Sequence, residues 1–232
     1  MVNKPNVIVV LGSESGVVKP VVDSFAQTNK IIRIYKKTVP EPLENCMDIS
    51  NIADLEQVLD TLGIGPSDQK IAFIGAAFTR QNSLFVRESP ESLKEMIDNN
   101  IRLYVETISI LLPRMIHSKF GRLVYLSSFR AGASVRGATV YSASKAFGET
   151  LFSGIGKEYG RFNISALSIR MGYFGNGMMN DYDEHKQKIL RSNISMNRFG
   201  NTEDLEKAIH FAFENPYLSS GVIDLNGGLN FG

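Results

Sequence analysis

The strongest restriction on how this chain can fold is its rhythm of short apolar runs separated by longer stretches of helical period. VIVVL (Val7–Leu11), KIIRIY (30–35), CMDI (Cys46–Ile49), KIAFIG (70–75), RLVYLS (122–127), ISALSI (164–169) and VIDL (222–225) read as strands. Between them, 54–62 sets Leu55, Val58, Leu59 and Leu62 on one helical face, and 90–116 sets Ile97, Ile101, Val105, Ile108 and Leu112 in register. Two further helices are predicted over 141–159 and 202–215. Strands that alternate with helices pair in parallel, and their helices must cover both faces of the sheet. The crossovers should be right-handed. The expectation is an α/β fold: a doubly wound parallel sheet forming a single domain over 1–232. A chain of 232 residues is long enough to bury the core this requires.

Composition excludes several other readings. Twenty-five Lys and Arg against 24 Asp and Glu leave a net charge of +1, so neither a nucleic acid nor a membrane surface is expected as partner. The one cysteine, Cys46, cannot form an internal disulfide, which fits a reducing compartment. The apolar run at the start is shorter than a signal-peptide core, and no stretch approaches a membrane span. A soluble cytoplasmic protein is therefore expected. His117, His185 and His210 are scattered without ligand spacing, so no metal is expected.

Two local patterns carry chemistry. The first strand runs into Leu11-Gly12-Ser13-Glu14-Ser15-Gly16-Val17-Val18. Glycines in such a turn let a backbone approach phosphates, and a following helix start supplies free N–H groups. Two glycines four apart also occur in many ordinary turns. In TVYSASKAFGETL, Tyr141 and Lys145 lie four apart and so share a helix face. A lysine ammonium beside a phenol favours the phenolate, which lets tyrosine transfer a proton near neutral pH. Ser127 and Ser128 end the fifth strand, where a ligand of such a sheet would sit. Asn99 and Asn100 interrupt a helix that would otherwise favour other residues.

These blocks together resemble the short-chain dehydrogenase/reductase family, and within it the 3-oxoacyl-[acyl carrier protein] reductases. The likeness runs from Val7 to Phe231 through FTRQNSLF, FGRLVYLSS, YSASKA and the tail beginning NRFGNTEDLEK. It implies a Rossmann-like fold with a short substrate lid around 173–198, and a catalytic tetrad of Asn100, Ser128, Tyr141 and Lys145. Tyr141 would donate the proton, Ser128 would hydrogen-bond the substrate oxygen, and Lys145 would tune the tyrosine and hold the nicotinamide ribose. Asn100 would hold a water that links Lys145 to solvent. A dinucleotide would be bound by Gly12, Ser13, Glu14, Ser15, Gly16, Val17, Tyr35, Lys36, Lys37, Asp48, Ile49, Gly75, Ala76, Met171, Gly172 and Phe174, with Tyr141 and Lys145. An acid commonly ends the second strand of NAD sites. Here Lys36 and Lys37 follow Tyr35 instead, so NADP(H) is expected over NAD(H).

The chain departs from the family at the cofactor motifs. Leu11 replaces a threonine and Val18 the last glycine of the loop. Ile74-Gly75-Ala76-Ala77 replaces Asn-Asn-Ala-Gly, Met171-Gly172 replaces Pro-Gly, and Asn176 replaces a threonine. Valine at position 18 would push the first helix outward unless its neighbours shrink. Met178 and Met179 would line an apolar substrate pocket, and Arg130 and Arg136 would meet an anion at its mouth.

Three readings follow. The first is an NADP(H)-dependent oxidoreductase that interconverts a small-molecule ketone and a secondary alcohol, the acyl group of a carrier-bound 3-oxoacyl thioester included. The second moves the substrate to a sugar, a steroid-like alcohol or a specialised metabolite. The third is a cofactor-impaired binding or scaffold subunit. The resemblance also implies a homotetramer or homodimer packed through 93–116 and 146–155.

Overall fold

Residue alternation along each strand decides which helices the sheet meets. The computed structural model describes residues 4–35, 41–76, 79, 83–133, 136–175 and 182–229. Its strands are β1 (Val7–Leu11), β2 (Lys30–Ile34), β3 (Cys46–Ile49), β4 (Ile71–Gly75), β5 (Gly121–Ser128), β6 (Ile164–Met171) and β7 (Ser220–Leu225). Its helices are α1 (Lys19–Ala26), α2 (Leu55–Thr61), α3 (Pro90–Ile97), α4 (Leu103–Ser118), α5 (Thr139–Tyr159), α6 (Glu184–Ser192) and α7 (Thr202–Glu214). All strand pairs are parallel, in the order β3-β2-β1-β4-β5-β6-β7. This is a doubly wound, Rossmann-like sheet. Its order reverses between β1 and β4, which opens a crevice beyond their carboxyl ends.

Val7, Val9 and Leu11 face one side of the sheet. There they join Leu55 and Leu59 of α2, Ile108 and Leu111 of α4, and Phe152 of α5. Ile8 and Val10 face the other side, with Val21, Val22 and Phe25 of α1 and Leu205, Ile209 and Phe213 of α7. Each fully buried side chain of this size contributes about 1.5–3 kcal/mol. Two dry layers therefore hold the strands, and polar groups collect at the strand ends.

The stretch 90–116 is not one uniform helix. Asp98–Arg102 forms a π turn between α3 and α4. The wider turn changes the phase of everything after it. Met96, Tyr104, Ile108, Leu111 and Met115 are buried, whereas Ile97 and Val105 stand 49% and 43% exposed. A constant helical period would have placed Ile97 beside Ile108, eleven residues on. Strands β5 and β6 run past their expected ends to Ser128 and Met171, which carries polar residues to the crevice. Strand β2 ends at Ile34, one residue short of expectation, and β4 begins at Ile71.

Helix α5 lies close on β5 because Gly148 has no side chain. A Cβ there would overlap the Tyr125 ring. That ring is itself packed between Tyr104, edge-on, and Phe152, tilted, each with its centroid 5.1 Å away. Gly148→Ala should therefore destabilise the fold by about 1–3 kcal/mol through overpacking. Trimming the ring with Tyr125→Val in the same chain should recover part of the loss. Denaturant midpoints of the two variants check this, and equal midpoints for Gly148→Ala and the parent would refute the contact.

Candidate functional site

The crevice begins at Gly12, whose φ of +85° suits glycine. The backbone N–H groups of Val18 and Lys19 both donate to the Ser15 carbonyl at 2.8 Å, which starts α1. Val18 is absorbed rather than expelled. It is 2% exposed and joins the Ile8, Val10, Val21 and Val22 layer. Pro20 sits in the first helical turn, where a missing N–H costs little. Helix α1 starts without a side-chain cap.

Beyond this loop lies a cleft of about 490 Å³ lined by Gly12, Glu14, Ser15, Tyr35, Asn51, Ile52 and Ala76, with Thr79, Asn99 and Arg102 opposite. That volume lies within the ordinary range of small-molecule sites. The hydroxyl of Ser13 is buried and, among the described residues, has no hydrogen-bond partner. An orphaned hydroxyl beside an uncapped helix start fits the phosphates of a dinucleotide. Burial pushes the Glu14 carboxyl up, while a backbone hydrogen bond and the Arg33 charge pull it down.

The remaining expected cofactor residues are placed unevenly. Ala76 lines the cleft and donates its N–H to the Leu11 carbonyl at 2.8 Å. Gly75 lies against Tyr104, where a Cβ would clash. Both carboxylate oxygens of Asp48 are held by Arg33, at 2.6 and 2.8 Å, and Ile49 is buried. Ser50, Asn51 and Ile52, just beyond them, line the cleft instead. Val17 is packed against the α1 and α7 layer, next to Gly16. Met171 ends β6, Gly172 N–H donates to the Leu225 carbonyl at 3.0 Å, and Phe174 is buried in a bridge to Gly200. Lys36, Lys37, Ala77, Asn176, Met178 and Met179 lie outside the described residues. Cys46 is half-buried, and its thiol is pushed up by burial.

Three of the four expected tetrad positions, Asn100, Tyr141 and Lys145, meet around the first turns of α5. The π turn buries Asn100, 1% exposed. Its Oδ1 accepts from the Thr79 backbone N–H at 2.6 Å. Its Nδ2 donates to the Thr79 carbonyl at 3.0 Å and to Ser144 Oγ at 2.9 Å. Ser144 in turn donates to the Tyr141 carbonyl at 2.7 Å. Asn100 thus ties the loop after β4 to the turn that carries Tyr141. Tyr141 and Lys145 are 6% and 2% exposed. Lys145 Nζ donates to the Leu126 carbonyl at 2.9 Å and lies 4.8 Å from the Tyr125 ring centroid and 6.0 Å from that of Tyr141. Burial lowers the Lys145 ammonium to about 7, against the pull of the Glu149 carboxylate.

The two serines at the end of β5 differ. Ser127 is buried and donates to Glu149 Oε1 at 2.6 Å. Ser128 is half-buried, and its Oγ accepts from the Arg130 N–H at 3.3 Å, capping the short turn Phe129–Ala131. The arrangement can therefore offer a phenol, an ammonium and a hydroxyl near one strand end. Sequence reasoning missed Asn51, Thr79, Tyr125, Glu149 and Arg170. A glutamate at the helix position one turn after Lys145 was a readable signal, but glutamate in a helix ordinarily indicates a solvated face.

Comparison with known proteins gives the family and the fold. The model of the short chain dehydrogenase family matches residues 6–187. The chain is 28% identical over 156 residues to the 3-oxoacyl-[acyl-carrier-protein] reductase of Bos taurus, covering 67% of this chain and 65% of that one. It thus spans just under two thirds of that relative's length. It is 23% identical over 221 residues to the corresponding Pseudomonas aeruginosa reductase, covering 94% of this chain and 89% of the relative. The 3-oxoacyl-[acyl-carrier protein] reductase from Brucella melitensis superposes with a TM-score of 0.84 at 15% identity, over 100% of this chain and 93% of that one. The NADP-bound structure of ElxO gives 0.83 at 16% identity, over 97% and 98% of the two chains. At such identities the structural likeness establishes the fold alone.

Burial of Lys145 has a measurable consequence for stability. Its folded-state value near 7 lies below the ordinary 10.5, so the unfolded chain binds the extra proton. The resulting destabilisation is full below about pH 7 and fades as pH rises toward 10.5. Lys145→Met should therefore raise Tm, and raise it more at pH 6 than at pH 9. Thermal scans at both pH values test this, and a gain independent of pH would contradict a buried, depressed lysine.

Proposed function

The chain belongs to the short-chain dehydrogenase/reductase family, an oxidoreductase class, and from that premise we propose that it interconverts a ketone and a secondary alcohol with NADP(H). The observation that carries this reading is the pairing of Tyr141 and Lys145 on one buried face of α5, beside the strand end that bears Ser128. A bound nicotinamide would supply or accept the hydride. The residues of this chain handle the proton and the substrate oxygen. The Tyr141 phenol gives its proton to the carbonyl oxygen as negative charge develops there. Ser128 Oγ donates a hydrogen bond to the same oxygen, which stabilises the transition state more than the ground state. The Lys145 ammonium stabilises the phenolate left on Tyr141. The amide of Asn100 is committed to Thr79 and Ser144, so its contribution is to hold the Tyr141 turn.

Several observations support the finer parts of this reading. NADP or NADPH is named with ElxO and with YwfH, an NADPH-dependent reductase. Lys36 and Lys37 directly follow Tyr35, which lines the cleft. A carrier-bound 3-oxoacyl thioester suits the relatives' activity. It also suits the apolar cluster of Phe129, Ile194 and Leu229, with Tyr173 and Phe199 packed against it at the expected lid. Arg130, over the Phe129 ring, offers a cation for the carrier's phosphate. Assembly into a homotetramer or homodimer is supported by exposed Ile97, Val105 and Phe147 on α3, α4 and α5. No helix among the described residues is long and apolar enough to cross a membrane.

The test is NADPH oxidation with 3-oxoacyl thioesters, free ketones and sugar nucleotides assayed side by side. Tyr141→Phe should lower kcat by about 10²–10⁴-fold while NADPH binding, followed by nicotinamide fluorescence, stays near the parent value. Turnover that survives in this variant would remove Tyr141 from the mechanism. Failure of the parent to bind either NADPH or NADH would favour a scaffold role.

A further inference from the structure

Behind the tetrad lies a second polar cluster that the proton transfer does not use. Glu149 sits one helical turn after Lys145 and is 9% exposed. Its Oε1 accepts from Ser127 Oγ at 2.6 Å and from Arg170 Nε at 3.0 Å. Its Oε2 accepts from a terminal guanidinium nitrogen of Arg170 at 2.7 Å, which completes a bidentate pair. On its far side Arg170 reaches Asp224 at 3.7 Å, and its guanidinium lies against Gly132, just past the Ser128 turn. One carboxylate thus joins the end of β5, the helix of Lys145, and the end of β6 that leads into Met171 and Gly172. A fold that only needed filling here would be served by an apolar side chain, because buried ion pairs seldom add net stability.

We infer that Glu149 is a positioning residue: its carboxylate fixes the Ser127–Ser128 strand end and the β6 end to the Lys145 helix, and sets its charge one helical turn from the Lys145 ammonium. The inference rests on the reductase reading only for what the site does. Among the described residues, the titratable groups placed at Lys145 include Tyr141 and Glu149 on α5 and Tyr125 on β5, with Tyr104 of α4 edge-on to Tyr125. Those facing Glu149 are Ser127 on β5 and Arg170 on β6, with Asp224 on β7 beyond. Arg130, in the turn that also packs on α5, lies over Phe129. Glu149 supplies the charge that acts on Lys145 against its burial.

The experiment is a pH titration of the Lys145 signal in protein made with isotope-labelled lysine, assigned by its loss in Lys145→Met. It needs neither substrate nor turnover, so its outcome is separate from that of the reductase assay. Glu149→Gln should lower the Lys145 midpoint by about one pH unit. Glu149→Asp should restore it toward the parent value. Arg170→Gln removes a cation and leaves the carboxylate, so the midpoint should hold or rise. If Glu149→Gln does not fold, the double variant Glu149→Met/Arg170→Met leaves no unpaired charge and should also lower the midpoint. An unmoved midpoint in the Glu149 variants, or an equal fall in Arg170→Gln, would overturn the inference by reducing the cluster to a structural clamp.

Discussion

Every central strand of this sheet is buried on both faces, and that constraint organises the rest of the molecule. A strand such as β1 shows only apolar side chains to α2, α4 and α5 on one side and to α1 and α7 on the other. Water and charge are excluded from both layers. Polar chemistry is left to the strand ends, and the order reversal between β1 and β4 opens the ends that form the crevice. Ser128, Ala76 and Gly12 reach the site because each follows or ends a strand anchored in this way.

The buried charges at those ends follow a common rule. Each is held by a partner of opposite charge or by a backbone carbonyl, because an uncompensated ion in a dry layer is costly. Arg33 is paired with Asp48, Glu149 with Arg170 and Ser127, and Lys145 lies on the Leu126 carbonyl over the Tyr125 ring. Burial draws the Lys145 ammonium toward neutrality. An ammonium poised in that range can respond to a neighbouring phenol, which a fully solvated lysine would do only weakly.

Two of the departures from family pattern, Val18 and Gly75, are accommodated by packing. Val18 fills a dry layer beside α1, while the left-handed Gly12 keeps the turn that the loop requires. Gly75 remains where Tyr104 leaves no room for a Cβ. Asp48 is spent on Arg33, and the wall of the cleft is taken over by Ser50, Asn51 and Ile52.

The sequence by itself determined the alternation of strands and helices, the parallel sheet with two covered faces, and the helix that pairs Tyr141 with Lys145. Periodicity and spacing are local, and each residue in those patterns reports its own environment. The π turn at Asp98–Arg102 was not legible, because nothing in the spacing of Ile97, Ile101 and Val105 announces one extra residue in a turn. The preference for Ser128 over Ser127 followed family spacing, and that Ser127 is engaged by Glu149, 22 residues further along the chain, was not legible. Nor could the sequence reveal that Asp48 is engaged by Arg33, or that Lys145 is fully buried. Those facts depend on which groups meet across β2, β3, β5, β6 and α5. Only the tertiary structure brings such partners within hydrogen-bonding distance, and it removes the water that would otherwise make their charges independent of one another.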